Sequence, residues 1–283
     1  MPYISALKDG VLRHESDKMS TLLAINIAEL YQRHLQQSGN HSLSPQKWDN
    51  KAQKMAQHLI EKRSHYTETL LSAINAQPDE TVLDIGCGPG TLALPLAQQC
   101  KQVYALDYSK GMLEVLTQYQ QRLNLDNITP LHCSWEQDWQ NVPQADIVVA
   151  SRSTMVQNLD DAIDKITAKA RKRVYLTAIT QPSFLDADIF AALNRQPQGF
   201  PTYIYWLNRL YQRGIQAELR FINADLSNYQ GDYIEFLKSV EFTLGSLNTE
   251  EKQCLENFYN ERKSKNIPIK HGQPKWAMIS WRL

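Results

Sequence analysis

Two acidic side chains, each closing an apolar run next to glycines or hydroxyls, are the residues of this sequence best placed to do chemistry. The first stands in Thr81-Val-Leu-Asp84-Ile-Gly86-Cys87-Gly88-Pro-Gly90-Thr91, a carboxylate two positions ahead of three alternating glycines. Apolar residues lead into the loop and an amphipathic segment leaves it, so the glycines sit at a strand-to-helix turn. Glycine is needed there where a side chain would bar a ligand from the backbone, or where the chain takes positive φ. A dinucleotide-binding loop would read Gly-x-Gly-x-x-Gly and require glycine at position 91, where Thr91 stands. The third glycine comes one residue early. Asp84 would repel a pyrophosphate but suits a ligand's amino group, directly or through water.

The second carboxylate ends the next apolar run, Val103-Tyr-Ala-Leu-Asp107-Tyr108-Ser. With both acids in order, the sequence resembles the class I S-adenosylmethionine-dependent methyltransferases. Their first motif reads acidic-x-Gly-x-Gly-x-Gly, and their second is the acid closing the following strand. The resemblance implies S-adenosylmethionine as cofactor, S-adenosylhomocysteine as product, and no metal. It implies cofactor contacts from Asp84, Gly86, Cys87, Gly88 and Gly90, with Asp107 accepting from both ribose hydroxyls and Tyr108 and Met112 against adenine. Comparable enzymes often carry an aspartate for the adenine amino group after the third strand. Here His132-Cys-Ser134-Trp135 departs from that pattern and puts Ser134 and Trp135 in that place, while Ser151 is expected at the cofactor after the fourth strand.

In this family the residues after the fourth strand usually face the reacting methyl group. Ala150-Ser151-Arg152-Ser-Thr-Met155 lacks the Asn/Asp-Pro-Pro-aromatic run of amide and base-amine methylases. It also lacks the cysteine beside proline that pyrimidine carbon methylation needs. Arg152 could orient an anionic acceptor or pair with a carboxylate. Tyr203, Tyr205 and Trp206, in an aromatic-rich stretch after the fifth strand, would give a mostly apolar acceptor pocket with hydroxyl handles, or else a packed helix face. No catalytic residue is assigned, because transfer of an activated methyl gains chiefly from positioning and exclusion of water. His14, His41, His58 and His65 read as surface histidines. A small-molecule acceptor is favoured over RNA or protein, and a cofactor-binding sensor without catalysis is the remaining alternative. The run Lys169-Ala-Arg171-Lys172-Arg173 would favour RNA if it formed a patch, yet also fits cations at a helix C-terminus.

These residues require an α/β scaffold. The pattern predicts strands near 81–85, 102–107, 128–132, 145–150, 173–179, 216–222 and 276–282, alternating with helices near 91–99, 109–122 and 159–170. That is an open, mostly parallel, seven-stranded Rossmann-like sheet flanked by helices, with its ligand crevice beyond the carboxyl ends of the strands. Residues 1–80 read as a helical extension or lid, with Trp48, Ala52, Met55 and Leu59 on one helix face and Tyr66, Leu70 and Ile74 on another. Residues 81–283 form the cofactor domain, in which 181–215 is an inserted cap segment, and further helices are expected near 229–240 and 250–264. Pro95, close to the start of its helix, has no evident reason in the sequence. Thirty basic residues balance thirty acidic ones, which disfavours a nucleic-acid partner. Four scattered cysteines indicate reduced thiols. With no signal peptide or membrane-spanning run, a cytoplasmic protein with no membrane partner is expected. The sequence leaves the oligomeric state open.

Overall fold

The computed structural model describes residues 21–38, 44–60, 63–196, 199–224, 229, 231–269 and 274–283. Its centre is a seven-stranded sheet in the order β3-β2-β1-β4-β5-β7-β6, built from β1 (Thr81–Ile85), β2 (Gln102–Asp107), β3 (Ile128–His132), β4 (Ala145–Ser151), β5 (Ala170–Ile179), β6 (Glu218–Asn223) and β7 (Lys275–Arg282). The first five strands pair in parallel, and β7 inserts antiparallel between β5 and β6. Parallel strands covered on both faces are apolar at nearly every position. Val82, Ile147 and Val149 accordingly face one core cluster, and Leu83, Ile85 and Val148 the other. The sheet order reverses between β1 and β4, which places the ligand crevice at their carboxyl ends.

Helices α1 (Ile27–Gln37), α2 (Pro45–Asp49), α3 (Ala52–Ile60) and α4 (His65–Ile74) precede the sheet. The expected face of Trp48, Ala52 and Met55 is present and packs on Met112 and Val115, but Asn50 and Lys51 break it into α2 and α3. The Leu59 and His58 side chains, with His14 and His41, lie outside the described residues. In α4, Ser64 caps the helix by accepting from the Thr67 N–H, and Tyr66, Leu70 and Ile74 are all buried.

Between strands run α5 (Ala93–Ala97), α6 (Lys110–Arg122) and α7 (Leu159–Lys169). The expected helix over 91–99 is shorter because a turn precedes it. Pro95 therefore falls in the first helical turn, where its missing N–H would lack an intrahelical partner in any case. After β5 come α8 (Ala187–Ala192) and α9 (Tyr203–Gln212), and between β6 and β7 lie α10 (Tyr233–Leu244) and α11 (Thr249–Ser264). Helices α8, α10 and α11 share a core of their own around Ile189, Phe190, Phe236, Val240, Leu255 and Tyr259. Among the described residues, no helix is long and apolar enough to cross a membrane.

Candidate active site

The loop after β1 is shaped by backbone hydrogen bonds to the neighbouring strand. The Gly86 and Cys87 N–H groups both donate to the Leu106 carbonyl, at 2.7 and 3.0 Å. Gly86 has φ 68°, and a Cβ there would overlap Ser153. Gly88 has φ 55° and nothing within 4 Å of the place a Cβ would take, so its backbone is bare toward the crevice. The next N–H along is tied down, since Gly90 donates to the Cys87 carbonyl at 3.1 Å. Burial pushes the Cys87 thiol well above its ordinary range, so it stays protonated.

The two acids stand side by side beneath this loop. Asp84 is 1% exposed; it accepts from the Ala93 N–H, and burial together with the Asp107 charge pushes it up to about 7. Its Oδ2 is buried with no hydrogen-bond partner, an arrangement that costs free energy unless a donor arrives. Asp107 holds the loop together: Oδ2 accepts from the Gly88 N–H at 2.8 Å and Oδ1 from the Ser109 N–H at 2.9 Å. Burial raises its pKa in spite of those bonds. The Tyr108 N–H also bonds the carboxylate, which leaves acceptor capacity for a further donor.

Helix α2 closes over the end of β2. Asp49 Oδ1 accepts from the Ser109 hydroxyl at 2.6 Å and the Gly111 N–H at 2.9 Å, capping α6 from outside and depressing its own pKa. Tyr108, expected at adenine, is half-buried and hydrogen-bonded with Trp48, and burial with the Asp107 charge pushes it up to about 12. Met112, expected beside it, is buried under α3 with Ala52 and Ala56.

The segment after β4 is clamped onto the glycine loop, and aromatic donors do most of the clamping. Ser153 Oγ donates to the Ile85 carbonyl at 2.6 Å. Trp135 Nε1 donates to the Ser153 carbonyl at 2.9 Å, Trp206 Nε1 to Thr154 at 3.1 Å, and the Tyr31 hydroxyl to Val156 at 2.8 Å. Trp135 also stacks on Trp139, 5.2 Å between centroids, and the Ser134 carbonyl accepts from Trp139 Nε1. Both tryptophans expected at a ligand thus spend their N–H groups holding this segment. Trp206 is 2% exposed, deep in the core with Leu210 and Ile279.

The other aromatics of α9 separate. Tyr203 packs edge-on against Phe221 of β6, while the Tyr205 hydroxyl lies 3.0 Å from His34 Nδ1 on α1. Neither joins Arg152. Arg152 follows β4 directly with φ 58°, its guanidinium 3.8 Å from the centre of the Tyr66 ring and 5.1 Å from that of Trp276. The Tyr66 hydroxyl lies 2.7 Å from both Ser151 Oγ and Thr177 Oγ1. Tyr66, Thr177 and Trp276 were not legible as site residues; a lone hydroxyl in the apolar run Leu176-Thr177-Ala178-Ile179 was the available hint. Next to Tyr108, with which Trp48 is hydrogen-bonded, α2 and α10 meet: Trp48 and Phe242 pack edge to face at 6.1 Å, and Lys51 Nζ lies 3.0 Å above the Phe242 ring.

His65, exposed at the start of α4, contributes nothing here. Among the described residues, no group of three or more His, Cys, Asp or Glu side chains is placed to hold a metal ion. A cleft of about 760 Å³ lined by Arg173, Tyr175, Arg220 and Arg282 lies at the amino end of β5, away from the glycine loop.

The residues at the crevice fit S-adenosylmethionine. The unsatisfied Asp84 oxygen can take a donor from its amino group, the bare Gly88 backbone can admit its methionine portion, and Asp107 retains acceptor capacity for its ribose. Comparison with known proteins agrees. A family model described as "Methyltransferase domain" matches residues 82–175. An uncharacterized protein of Haemophilus influenzae is 56% identical over 264 residues, covering 93% of this chain and 98% of that protein. A Methanocaldococcus jannaschii protein named as a probable cobalt-precorrin-6B C(15)-methyltransferase (decarboxylating) is 39% identical over 57 residues, 20% of this chain and 31% of its own length. The crystal structure of the YcgJ protein from Bacillus subtilis shares the fold with a TM-score of 0.55 at 18% identity, covering 77% of this chain and 97% of that one. With the acid-glycine loop, the second acid and the seven-stranded order all in place, the chain belongs to the class I S-adenosylmethionine-dependent methyltransferases.

Proposed function

We propose that this enzyme methylates a small molecule bound beyond the carboxyl ends of β4 and β5, beneath the cover formed by α2, α3 and α10. The observation that carries this reading is the arch itself. Trp48, hydrogen-bonded with Tyr108 at the end of β2, and Lys51 both meet Phe242, and Lys54 approaches Glu235 at 3.9 Å, a cover beside the cofactor end of the crevice that leaves little room for a folded macromolecule. The basic run that would have favoured RNA is largely spent internally. Arg173 and Lys172 pair with Glu80, Lys172 also with Asp146, and Lys169 donates to the Val142 carbonyl. Arg171 and Lys172 are the exposed members of that run, and of these Lys172 is engaged by Glu80 and Asp146.

S-adenosylmethionine, when bound, supplies a methyl group activated on a sulfonium. The chain's own part is binding, orientation and exclusion of water. Asp84 would take the amino group and Asp107 the ribose, with Tyr108 beside the adenosine under Trp48. The Ser151–Met155 segment, fixed to the loop through Ser153, would carry the acceptor at constant distance from the cofactor side. No general base is required if the acceptor reaches the site in its nucleophilic form.

The test is transfer of label. Purified enzyme is incubated with methyl-labelled S-adenosylmethionine and, separately, the low-molecular-weight fraction, total RNA and total protein of Haemophilus influenzae cells. Label is expected in the small-molecule fraction. Label confined to RNA or protein would reverse the proposal, and binding without any transfer would favour a sensor.

A further inference from the structure

We infer that the acceptor carries a carboxylate, held by the Arg152 guanidinium on its Tyr66–Trp276 platform with the Ser151 hydroxyl as second donor; this rests on the acceptor site proposed above. Three separate features of Arg152 point the same way. Its backbone is in the left-handed region, φ 58°, which costs a non-glycine residue free energy and is retained mostly at functional sites. Its guanidinium lies against two aromatic rings and is hydrogen-bonded to Tyr66, so its position is fixed and its hydration reduced while its remaining N–H groups stay available. It is solvent-exposed, and no acidic side chain pairs with it among the described residues. A guanidinium fixed on rings and facing solvent without a carboxylate is prepared for one from outside.

The hydroxyl chain beside it gives the second donor. Thr177 Oγ1 is buried and accepts the Arg152 N–H at 2.9 Å, so its own proton needs an acceptor, and the Tyr66 oxygen at 2.7 Å is available. Tyr66 then donates to Ser151 Oγ, also at 2.7 Å. The opposite sense would strand the buried Thr177 proton without a partner, at a cost. In the satisfied sense Ser151 accepts from within and keeps its proton for an outside acceptor. Ser151 and Arg152 are consecutive, and the next residue, Ser153, abuts Gly86, so the two donors stand next to the cofactor loop. One planar fork plus one hydroxyl matches a carboxylate; a phosphate dianion would call for more cations than Arg152 alone.

The experiment uses the full-length protein saturated with S-adenosylhomocysteine and the isosteric probes benzoate and benzamide. Arginine Nε–H resonances are followed by NMR, that of Arg152 being assigned by its loss in Arg152→Lys. Benzoate is expected to shift it with millimolar affinity and benzamide to leave it in place. In Arg152→Lys and Arg152→Gln, benzoate binding should weaken roughly 10-fold or more, while S-adenosylhomocysteine affinity by calorimetry stays within about twofold of the parent. Absence of any benzoate shift at tens of millimolar, or a response to phenyl phosphate alone, would overturn the carboxylate assignment. A parallel loss of S-adenosylhomocysteine affinity in the two variants would give Arg152 to the cofactor's own carboxylate and overturn it equally. Failure of the parent protein to bind S-adenosylhomocysteine would instead strike the cofactor reading on which the acceptor site depends.

Discussion

Asp84 and Asp107 share one buried corner and do different work there. Asp84 is raised to about 7 by burial and by its neighbour's charge, so near neutrality it is part protonated until a cationic amino group arrives. Cofactor binding should therefore release a proton from Asp84, and S-adenosylhomocysteine affinity should fall as pH drops below about 7. Calorimetry in buffers of different ionisation enthalpy checks this, and Asp84→Asn should abolish the pH dependence together with much of the affinity. Stability runs in the other direction. A carboxyl raised from 3.8 contributes stability that is present below its unfolded pKa and lost as pH rises through the folded one. Without ligand, Asp84→Asn should thus gain on the parent between pH 4 and 7, by on the order of 4 kcal/mol if the whole shift is realised. Asp107 already accepts from the Gly88 and Ser109 N–H groups. Asp107→Ala is expected to weaken S-adenosylhomocysteine binding about 10- to 100-fold. Asp107→Asn should fare little better, because an amide nitrogen would face one of those N–H groups and leave it unpaired. If titration gave the asparagine variant the parent's affinity, the double anchoring of the loop would be of no consequence for binding.

Among the elements, the difference between what the sequence disclosed and what it concealed follows the distance between partners. The glycine loop, its two acids and the strands that carry them are contiguous stretches whose periodicity and spacing are set by local geometry, and they stand where the pattern placed them. The Tyr66, Ser151, Thr177 and Trp276 assembly draws on four distant segments, and no local pattern marks such a meeting. The aromatic residues of α9 were legible as aromatic but not as to direction, because a helix turns successive side chains to different sides. Trp206 therefore went to the core, Tyr203 to β6 and Tyr205 to α1. The meeting of α10 with α2 is of the same kind: the sequence marks both as helices, but their contact through Phe242 and Trp48 joins segments far apart in the chain. Phe242→Ala removes both the Trp48 edge contact and the Lys51 cation–π contact, each worth about 0.5–1.5 kcal/mol. S-adenosylhomocysteine should then dissociate roughly 3- to 10-fold faster in a stopped-flow displacement experiment, with a fall in thermal midpoint of about 2–6 °C from the two lost contacts. An unchanged dissociation rate would mean that the arch does not gate the crevice.

At the scale of the whole molecule, chemistry and stability occupy opposite ends of the sheet. The carboxyl ends of β1, β2 and β4 carry the loop, the acids and Arg152. At the amino ends, Glu80 ties the turn before β1 to the start of β5. It is 3% exposed, and its two oxygens accept from Arg173 at 2.9 and 2.6 Å, from Lys172 at 3.3 Å and from the Gln77 N–H at 3.0 Å. Burial works against its ionisation, but the Arg173, Gln77 and Lys172 hydrogen bonds and the Arg173 charge together hold its pKa below the ordinary value of 4.5. Such a group contributes stability above its unfolded pKa and loses it as pH falls through the folded one. Glu80→Gln breaks a buried, forked pair and strands Arg173, whose side chain is 18% exposed, a change that costs about 3–5 kcal/mol in comparable cases. At roughly 2 °C per kcal/mol for a chain of this size, the midpoint at pH 7 should fall by about 6–10 °C. The gap should narrow below pH 4.5 and close in strong acid, where the parent's carboxyl is protonated as well. Since the pair lies across the sheet from the crevice, S-adenosylhomocysteine affinity measured well below the melting range should be unaffected. Equal midpoints at pH 7 would show that Arg173 and Lys172 find water or other partners at no cost, and that the amino ends of the strands are not held together by this ion pair.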